Sequence, residues 1–286
     1  MTASAPFDLT GARVLVTGAS RGIGRAIASA FAAAGAVVVV HARSAAALAD
    51  TVGTIRGAGG RVEPVPGDLS VAGQADAVVV AATRFLGGLD VLVHNAAILP
   101  LGEGGEPLFT SFEATTAQQW SLVLDLDFGV SVTLCRAVRP HLSASSRASV
   151  VLVSSAAGLM AMPNVEAYAV AKAAQLSLVR SLSAGWASSG IRVNALCPGW
   201  TRTDMTAPIS GNEQLSAALL THVPLGRWAE PEEMGGAALF LASPAASFIT
   251  GHCLVADGGL TVPDGGLTAL ASQPHTHPEP HTRTKE

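Results

Sequence analysis

The chain predicts an α/β fold: a single doubly wound Rossmann-type domain with a parallel sheet of about seven strands and helices on both faces. Three observations carry this expectation. Short β-branched runs alternate with Ala-rich stretches of helical length along most of the 286 residues. Several runs are continuously apolar, as strands buried on both faces are. A glycine-rich segment, Thr17-Gly18-Ala19-Ser20-Arg21-Gly22-Ile23-Gly24, follows the first run and opens the first helix.

The elements follow in order. Residues 13–17 are strand one, ended by Gly18. Residues 22–34 are rich in alanine and closed by Gly35, a helix with its C-terminal stop. The valine run at 36–41 is strand two, and residues 44–56 are a helix with Ser44 as N-cap. Strand three is 61–65, helix three 70–85 and strand four 89–94. A looser Gly/Pro segment at 99–116 carries Glu103, Glu106 and Glu113. One long helix is expected over 117–142, strand five over 148–153, a helix over 165–187 and strand six over 191–196. Residues 207–222 read as a mobile helical segment between Pro208 and Pro224. Glu230 to Glu233 favour the positive N-terminus of a helix over 231–241, and strand seven is 252–256. No linker divides the chain, so residues 1–262 are expected to form one domain. The Pro- and His-containing stretch 263–286 lacks apolar periodicity and reads as a disordered, solvated tail.

Composition narrows the function. Charged residues are 13% of the chain, about half the usual ~25%. No apolar run reaches the ~18–20 residues a spanning helix needs, so no membrane partner is expected. Buried surface between subunits, in a homo-oligomer (dimer or tetramer), is expected to compensate for the scarce charge. The net charge of −4 offers no basic field, so nucleic acid is not an expected partner. The three cysteines, Cys135, Cys197 and Cys253, fit no disulfide framework and no zinc spacing. No metal site is expected, and the tail histidines His275, His277 and His281 read as solvated. The first residues show no basic start and no apolar core of a secretory signal, so a reducing, cytoplasmic location is expected.

The glycine segment has the chemistry of a diphosphate cradle. Gly18 permits a sharp exit from the strand, Gly22 admits close backbone approach, and Gly24 allows tight helix–strand packing. Free N–H groups and the helix dipole favour an anion there. The end of strand two reads His41-Ala42-Arg43-Ser44, with no acid to hold a ribose 2′-hydroxyl. Arg43 offers a guanidinium to a 2′-phosphate, and Arg21 could flank it. NADP(H) is therefore favoured over NAD(H); the competing reading is that Arg43 is simply solvated.

Tyr168, the chain's one tyrosine, lies four residues before Lys172. On a helix these positions share a face, and a nearby cation favours the phenolate. A phenol of pKa about 10 must fall by about 2–3 units to exchange protons near neutrality. The pair is thus expected to form a general acid/base. Ser155 closes strand five, at the sheet edge where open α/β sheets bind ligands.

Taken together, these residues resemble the short-chain dehydrogenase/reductase superfamily, in its single-domain ketoreductase branch, over about residues 9–262. Thr17 to Gly24 matches its TGxxxGxG motif, and Asn95-Ala96-Ala97 resembles its NAG motif, with Ala97 in place of glycine. The resemblance implies a catalytic set of Ser155, Tyr168 and Lys172, with Lys172 also on the nicotinamide ribose. It implies cofactor contacts from Gly18, Ser20, Arg21, Gly22, Ile23, Gly24, Arg43, Asp68, Leu69, Asn95, Ala96, Pro198, Gly199, Thr201 and Thr203. Ala256-Asp257-Gly258-Gly259 matches a further motif. Asp127 stands where the family usually has asparagine, whose backbone carbonyl holds a water at the end of a proton relay; the carboxylate could add negative charge near Lys172 or be a harmless substitution. The implied reaction is hydride transfer between a nicotinamide and a ketone or secondary alcohol. Leu99, Ala157, Met160, Met162, Trp200 and Met205 would line the substrate side, which favours a neutral, apolar ketone, although each fits core packing equally well. Two other readings remain open: a 3-oxoacyl-[acyl-carrier-protein] reductase, with Arg136, Arg139 and Arg147 as its docking patch, and a non-catalytic NADP(H) binder or sensor.

Overall fold

The computed structural model describes residues 6–99 and 109–262. The expected tail and residues 100–108 of the looser segment lie outside them. Seven parallel strands form one sheet in the order β3-β2-β1-β4-β5-β6-β7. They are β1 (Arg13–Thr17), β2 (Val37–Ala42), β3 (Arg61–Pro66), β4 (Val91–His94), β5 (Ser149–Val153), β6 (Arg192–Pro198) and β7 (Cys253–Ala256).

The continuous valine runs are explained by two cores. Val14, Val16, Val38 and Val40 face one core with α1 (Gly22–Ala33), α2 (Ala45–Gly57) and α9 (Pro231–Ala242). Leu15 and Val39, between them, face the other core with α3 (Gln74–Leu86), α5 (Val130–Ser143) and α6 (Glu166–Trp186). Side chains alternate between faces along a strand, so a strand covered on both faces must be apolar at every position. Ser44 caps α2 as expected, accepting from Ala47 N at 3.3 Å. Glu230 and Glu233 form a reciprocal capping box at the start of α9.

Three helix boundaries differ from the sequence expectation. Helix α3 starts at Gln74 rather than residue 70, because Asp68 Oδ1 accepts from both Ser70 N and Ser70 Oγ and holds a turn there. Gly73 then adopts φ 81 before the helix begins. The helix expected over 117–142 is α4 (Ala117–Val123) and α5, separated by a π-helical turn, Leu124–Gly129. Such turns often mark functional positions, and this one turns Asp127 inward, where its Oδ1 accepts from Ile98 N at 2.8 Å. Residues 207–222 form two short helices, α7 (Ala207–Ser210) and α8 (Glu213–Leu220), with Asn212 capping the second.

Among the described residues no helix is long and apolar enough to cross a membrane, and no cluster of His, Cys, Asp or Glu could hold a metal ion.

Candidate active site

The strand order reverses between β1 and β4, and the C-terminal strand ends there open a crevice, the usual ligand position in such sheets. Asn95, just past β4, ties the glycine loop to this point. Its Nδ2 donates to Gly18 O at 3.0 Å and to Thr17 O at 3.3 Å. The Thr17 hydroxyl accepts from Asn95 N at 3.1 Å and Ala96 N at 3.2 Å. Two glycines are dictated by space. A Cβ on Gly18, at φ +65, would lie 2.7 Å from Ala96 Cα, and one on Gly24 would lie 2.1 Å from Gly18 O.

Helix α1 begins without a side-chain cap from Arg21 and without an acid in its first turn. Its free N–H groups and dipole are left for an external anion. Arg25 fixes the loop from behind by donating to Ser20 O at 2.7 Å. Arg43 is exposed directly after β2, and its charge, with that of His41, reaches Asp68 beside β3. The Ser70 hydrogen bonds are the larger cause of the lowered Asp68 pKa. Leu69 packs on the second core. These groups fit a dinucleotide laid across the strand ends.

Arg21, expected to flank the same phosphate as Arg43, has an acid partner of its own. It donates to Asp204 Oδ2 at 3.0 Å and so links the glycine loop to the segment after β6. That segment begins at Pro198-Gly199, where a Cβ on Gly199 would come within 2.6 Å of Asp257 Cα. Asp257 in turn accepts from Gly259 N and Thr261 N, both at 2.8 Å. The Thr206 hydroxyl, unremarked in the sequence, holds the loop together: it donates to Thr201 O at 2.6 Å and accepts from Thr203 N at 3.1 Å.

Ser155, Tyr168, Lys172 and Asp127 come together beside this cradle. Ser155 follows β5, where its Oγ accepts from Ala157 N at 3.1 Å, and its hydroxyl is near enough to the phenol to pull the Tyr168 pKa down. The neighbouring Ser154 Oγ donates to Lys172 O at 2.9 Å, which fixes α6 against β5. Lys172 Nζ donates to Val153 O at 3.2 Å and lies 5.3 Å from the centre of the Tyr168 ring. Asp127 Oδ2 is 3.7 Å from Nζ, an ion-pair distance rather than a hydrogen bond. Both groups are buried, at 1% and 0% side-chain exposure.

The expected acidification of Tyr168 by Lys172 is corrected by this arrangement. The phenol is pushed up, first by burial and then by the negative charge of Asp127, and the Ser155 hydrogen bond offsets only part of this. Burial also lowers Lys172, opposed by Asp127, and raises Asp127 to about 6, opposed by Lys172. Asp127 thus faces the same ammonium that the sequence reading set against the tyrosine alone.

Gln175 is a further polar member that the sequence reading missed. Its Nε2 donates to Asp127 O at 2.7 Å and to Ser131 Oγ at 2.9 Å. Ser131 Oγ also donates to Asp127 O, at 2.9 Å. A glutamine three residues after Lys172, on the same buried stripe of α6, was the available signal.

Of the residues expected on the substrate side, Leu99 and Ala157 are buried, and Met160, Met162, Trp200 and Met205 are half-buried. Trp200 packs edge-on against Trp228 with ring centres 5.7 Å apart.

A family model described as Enoyl-(Acyl carrier protein) reductase matches residues 18–261. Gluconate 5-dehydrogenase of Gluconobacter oxydans is 34% identical over 259 residues, 90% of this chain and 97% of that protein. Cis-4-hydroxycyclohexanecarboxylate dehydrogenase of Sinomonas cyclohexanicum is 39% identical over 249 residues, 86% and 95% of the two chains. The crystal structure of a gluconate 5-dehydrogenase from Burkholderia cenocepacia, in complex with NADP and tartrate, superposes with a TM-score of 0.83 at 30% identity, covering 90% and 98%. The chain belongs to the short-chain dehydrogenase/reductase family. It is an oxidoreductase of alcohol and carbonyl groups.

Proposed function

We propose that this chain is an NADP(H)-dependent carbonyl reductase for a neutral, largely apolar ketone, with residues 1–262 as its catalytic domain. The observation that carries the reading is the convergence of Ser155, Tyr168 and Lys172 beside the glycine cradle at the sheet's switch point. The cradle, the uncapped start of α1 and Arg43 would hold the dinucleotide, whose nicotinamide supplies or accepts the hydride. Two related structures, one named as a gluconate 5-dehydrogenase from Burkholderia cenocepacia and one as a 2-deoxy-d-gluconate 3-dehydrogenase from Agrobacterium tumefaciens, were solved with NADP, which supports the choice.

In carbonyl reduction, Ser155 donates a hydrogen bond to the substrate oxygen and Tyr168 gives its proton to the forming alkoxide. Lys172 positions the cofactor ribose. In alcohol oxidation the same phenol must first be ionised, so the raised Tyr168 favours reduction at neutral pH. The half-buried methionines and Trp200 favour an apolar substrate. Arg21, Arg202 and Lys172 each face an acid, namely Asp204, Glu230 and Asp127, which speaks against a substrate carboxylate.

The test is NADPH oxidation against aliphatic, aryl and cyclic ketones, a β-ketoester and an acetoacetyl thioester, with gluconate oxidation in parallel. Turnover of neutral ketones is expected; gluconate as the preferred substrate would overturn the reading. A 3-oxoacyl-carrier reductase is the second reading; the description of the matching family model shares the acyl carrier with it but names reduction of an enoyl group. Its expected basic patch is largely committed elsewhere. Arg139 lies over Trp186 at 5.2 Å and donates to Ser143 and Ser189, and Arg147 donates to Thr10 O. Preference for the acetoacetyl thioester would establish it, and bound NADPH without any turnover would make the chain a sensor.

The homo-oligomer belongs to this proposal. Edge strand β7 exposes Val255, and Leu225, Phe248 and Val262 are exposed as well. Assembly would cover such apolar surface. A stable monomer by mass measurement at micromolar concentration would refute it. Free cysteines at 135, 197 and 253 support a reducing compartment, the cytoplasm.

A further inference from the structure

Asp127 offers two acceptors, its backbone carbonyl and its carboxylate, and the structure treats them differently. The carbonyl receives two protein donors, Gln175 Nε2 at 2.7 Å and Ser131 Oγ at 2.9 Å, which account for both of its lone pairs. The carboxylate Oδ1 takes Ile98 N. Oδ2 is buried with no hydrogen-bond partner, and Lys172 Nζ faces it at 3.7 Å. An orphaned carboxylate oxygen is costly to bury and is retained here against a buried ammonium.

We propose that the Asp127 carboxylate is the resident counter-ion of Lys172 and withholds the ammonium charge from Tyr168, keeping the phenol protonated as the acid for carbonyl reduction. Asp127 is a positioning residue in this scheme, since it acts on Tyr168 through Lys172 and through its own field. The proposal rests on the reductase reading above and gives it a direction.

The surrounding titratable groups leave the pair to itself. On α6 the neighbour is Tyr168. At the end of β4, His94 is held neutral by burial and by the Lys172 charge, and on β6 the Cys197 thiol is pushed up to about 12 by burial. Asp257, beyond β6, acts on Cys197. In the π-turn itself, Asp125 points to solvent. After burial, the Asp127 charge is the main influence that raises Tyr168.

Because the chain has one tyrosine, the near-ultraviolet absorbance of tyrosinate reports Tyr168 alone. Titrating the full-length protein should give a midpoint above the ordinary phenol value of 10.0. Asp127→Asn, which keeps the shape and removes the charge, should lower that midpoint by about one pH unit or more, tenfold in proton affinity. Asp127→Ser serves as a second neutral variant, and Tyr168→Phe as the blank. The alkaline limb of alcohol oxidation should move the same way in each neutral variant. A wild-type midpoint below the ordinary phenol value, or equal midpoints in wild type and neutral variants, would overturn the proposal. The titration needs no turnover, so its failure leaves the reductase reading standing, and failure of every ketone leaves the titration result intact.

Discussion

The Gln175 side-chain amide donates to the Asp127 backbone carbonyl across 2.7 Å of fully buried space. It thereby pins α6, which carries Tyr168 and Lys172, to the π-turn that carries Asp127. Gln175→Leu fills similar volume but strands two acceptors, Asp127 O and Ser131 Oγ, without that donor. The expected cost is about 1–3 kcal/mol of stability, read as a shifted denaturation midpoint with an unchanged slope. An unchanged midpoint would show that α6 is held by apolar packing alone.

Tyr168→Phe removes the proton donor and keeps the ring packed near Ala167 and Ala171. Turnover is expected to fall by at least about 10²–10⁴, with NADPH affinity within a few-fold of wild type by fluorescence titration. Substantial remaining activity would mean that another group supplies the proton.

Arg43 is exposed beside the end of β2 and has no acidic hydrogen-bond partner among the described residues. Arg43→Ala should raise the KM for NADPH by about tenfold or more and leave that for NADH nearly unchanged, as loss of one charge-assisted phosphate contact requires. Equal effects on both would assign the phosphate to a different residue.

His94 links catalytic geometry to acid stability. Its Nδ1 hydrogen-bonds Thr17 Oγ1 at 2.8 Å, and burial pushes its pKa from 6.5 to about 3. Between those values the unfolded chain holds a proton that the folded chain refuses, so stability falls as pH falls through that window. Asp127 acts oppositely between 3.8 and about 6, where the folded protein holds the extra proton and its contribution is lost as pH rises. His94→Gln removes the first effect and should flatten the loss of melting temperature between neutral pH and mild acid. A profile parallel to wild type would show that acid stability is set elsewhere.

Much of the fold was legible in the sequence because its determinants are local. Val37 to Val40 are apolar at every position, which only a strand covered on both faces requires. Gly18 and Gly24 announce a turn in which no Cβ fits. Ser44 and the Glu230–Glu233 pair mark helix starts by their own side chains. Tyr168 and Lys172, four residues apart on a helix, must share a face.

The remainder depended on groups distant in sequence. Residues 117–142 read as one helix, yet a π-turn that includes Gly129 interrupts it and brings Asp127 to Ile98, 29 residues away. Arg21 belongs by sequence to the phosphate loop, yet Asp204 from beyond β6 takes its guanidinium. The sequence alone thus determined the doubly wound sheet, the glycine cradle and the shared face of Tyr168 and Lys172, because periodicity, φ requirements and helix spacing act over a few residues; Ser155 joined that pair through the family resemblance. Only the tertiary structure decided the burial of those residues and the approach of Asp127 to Lys172, because both exist nowhere but in the folded chain.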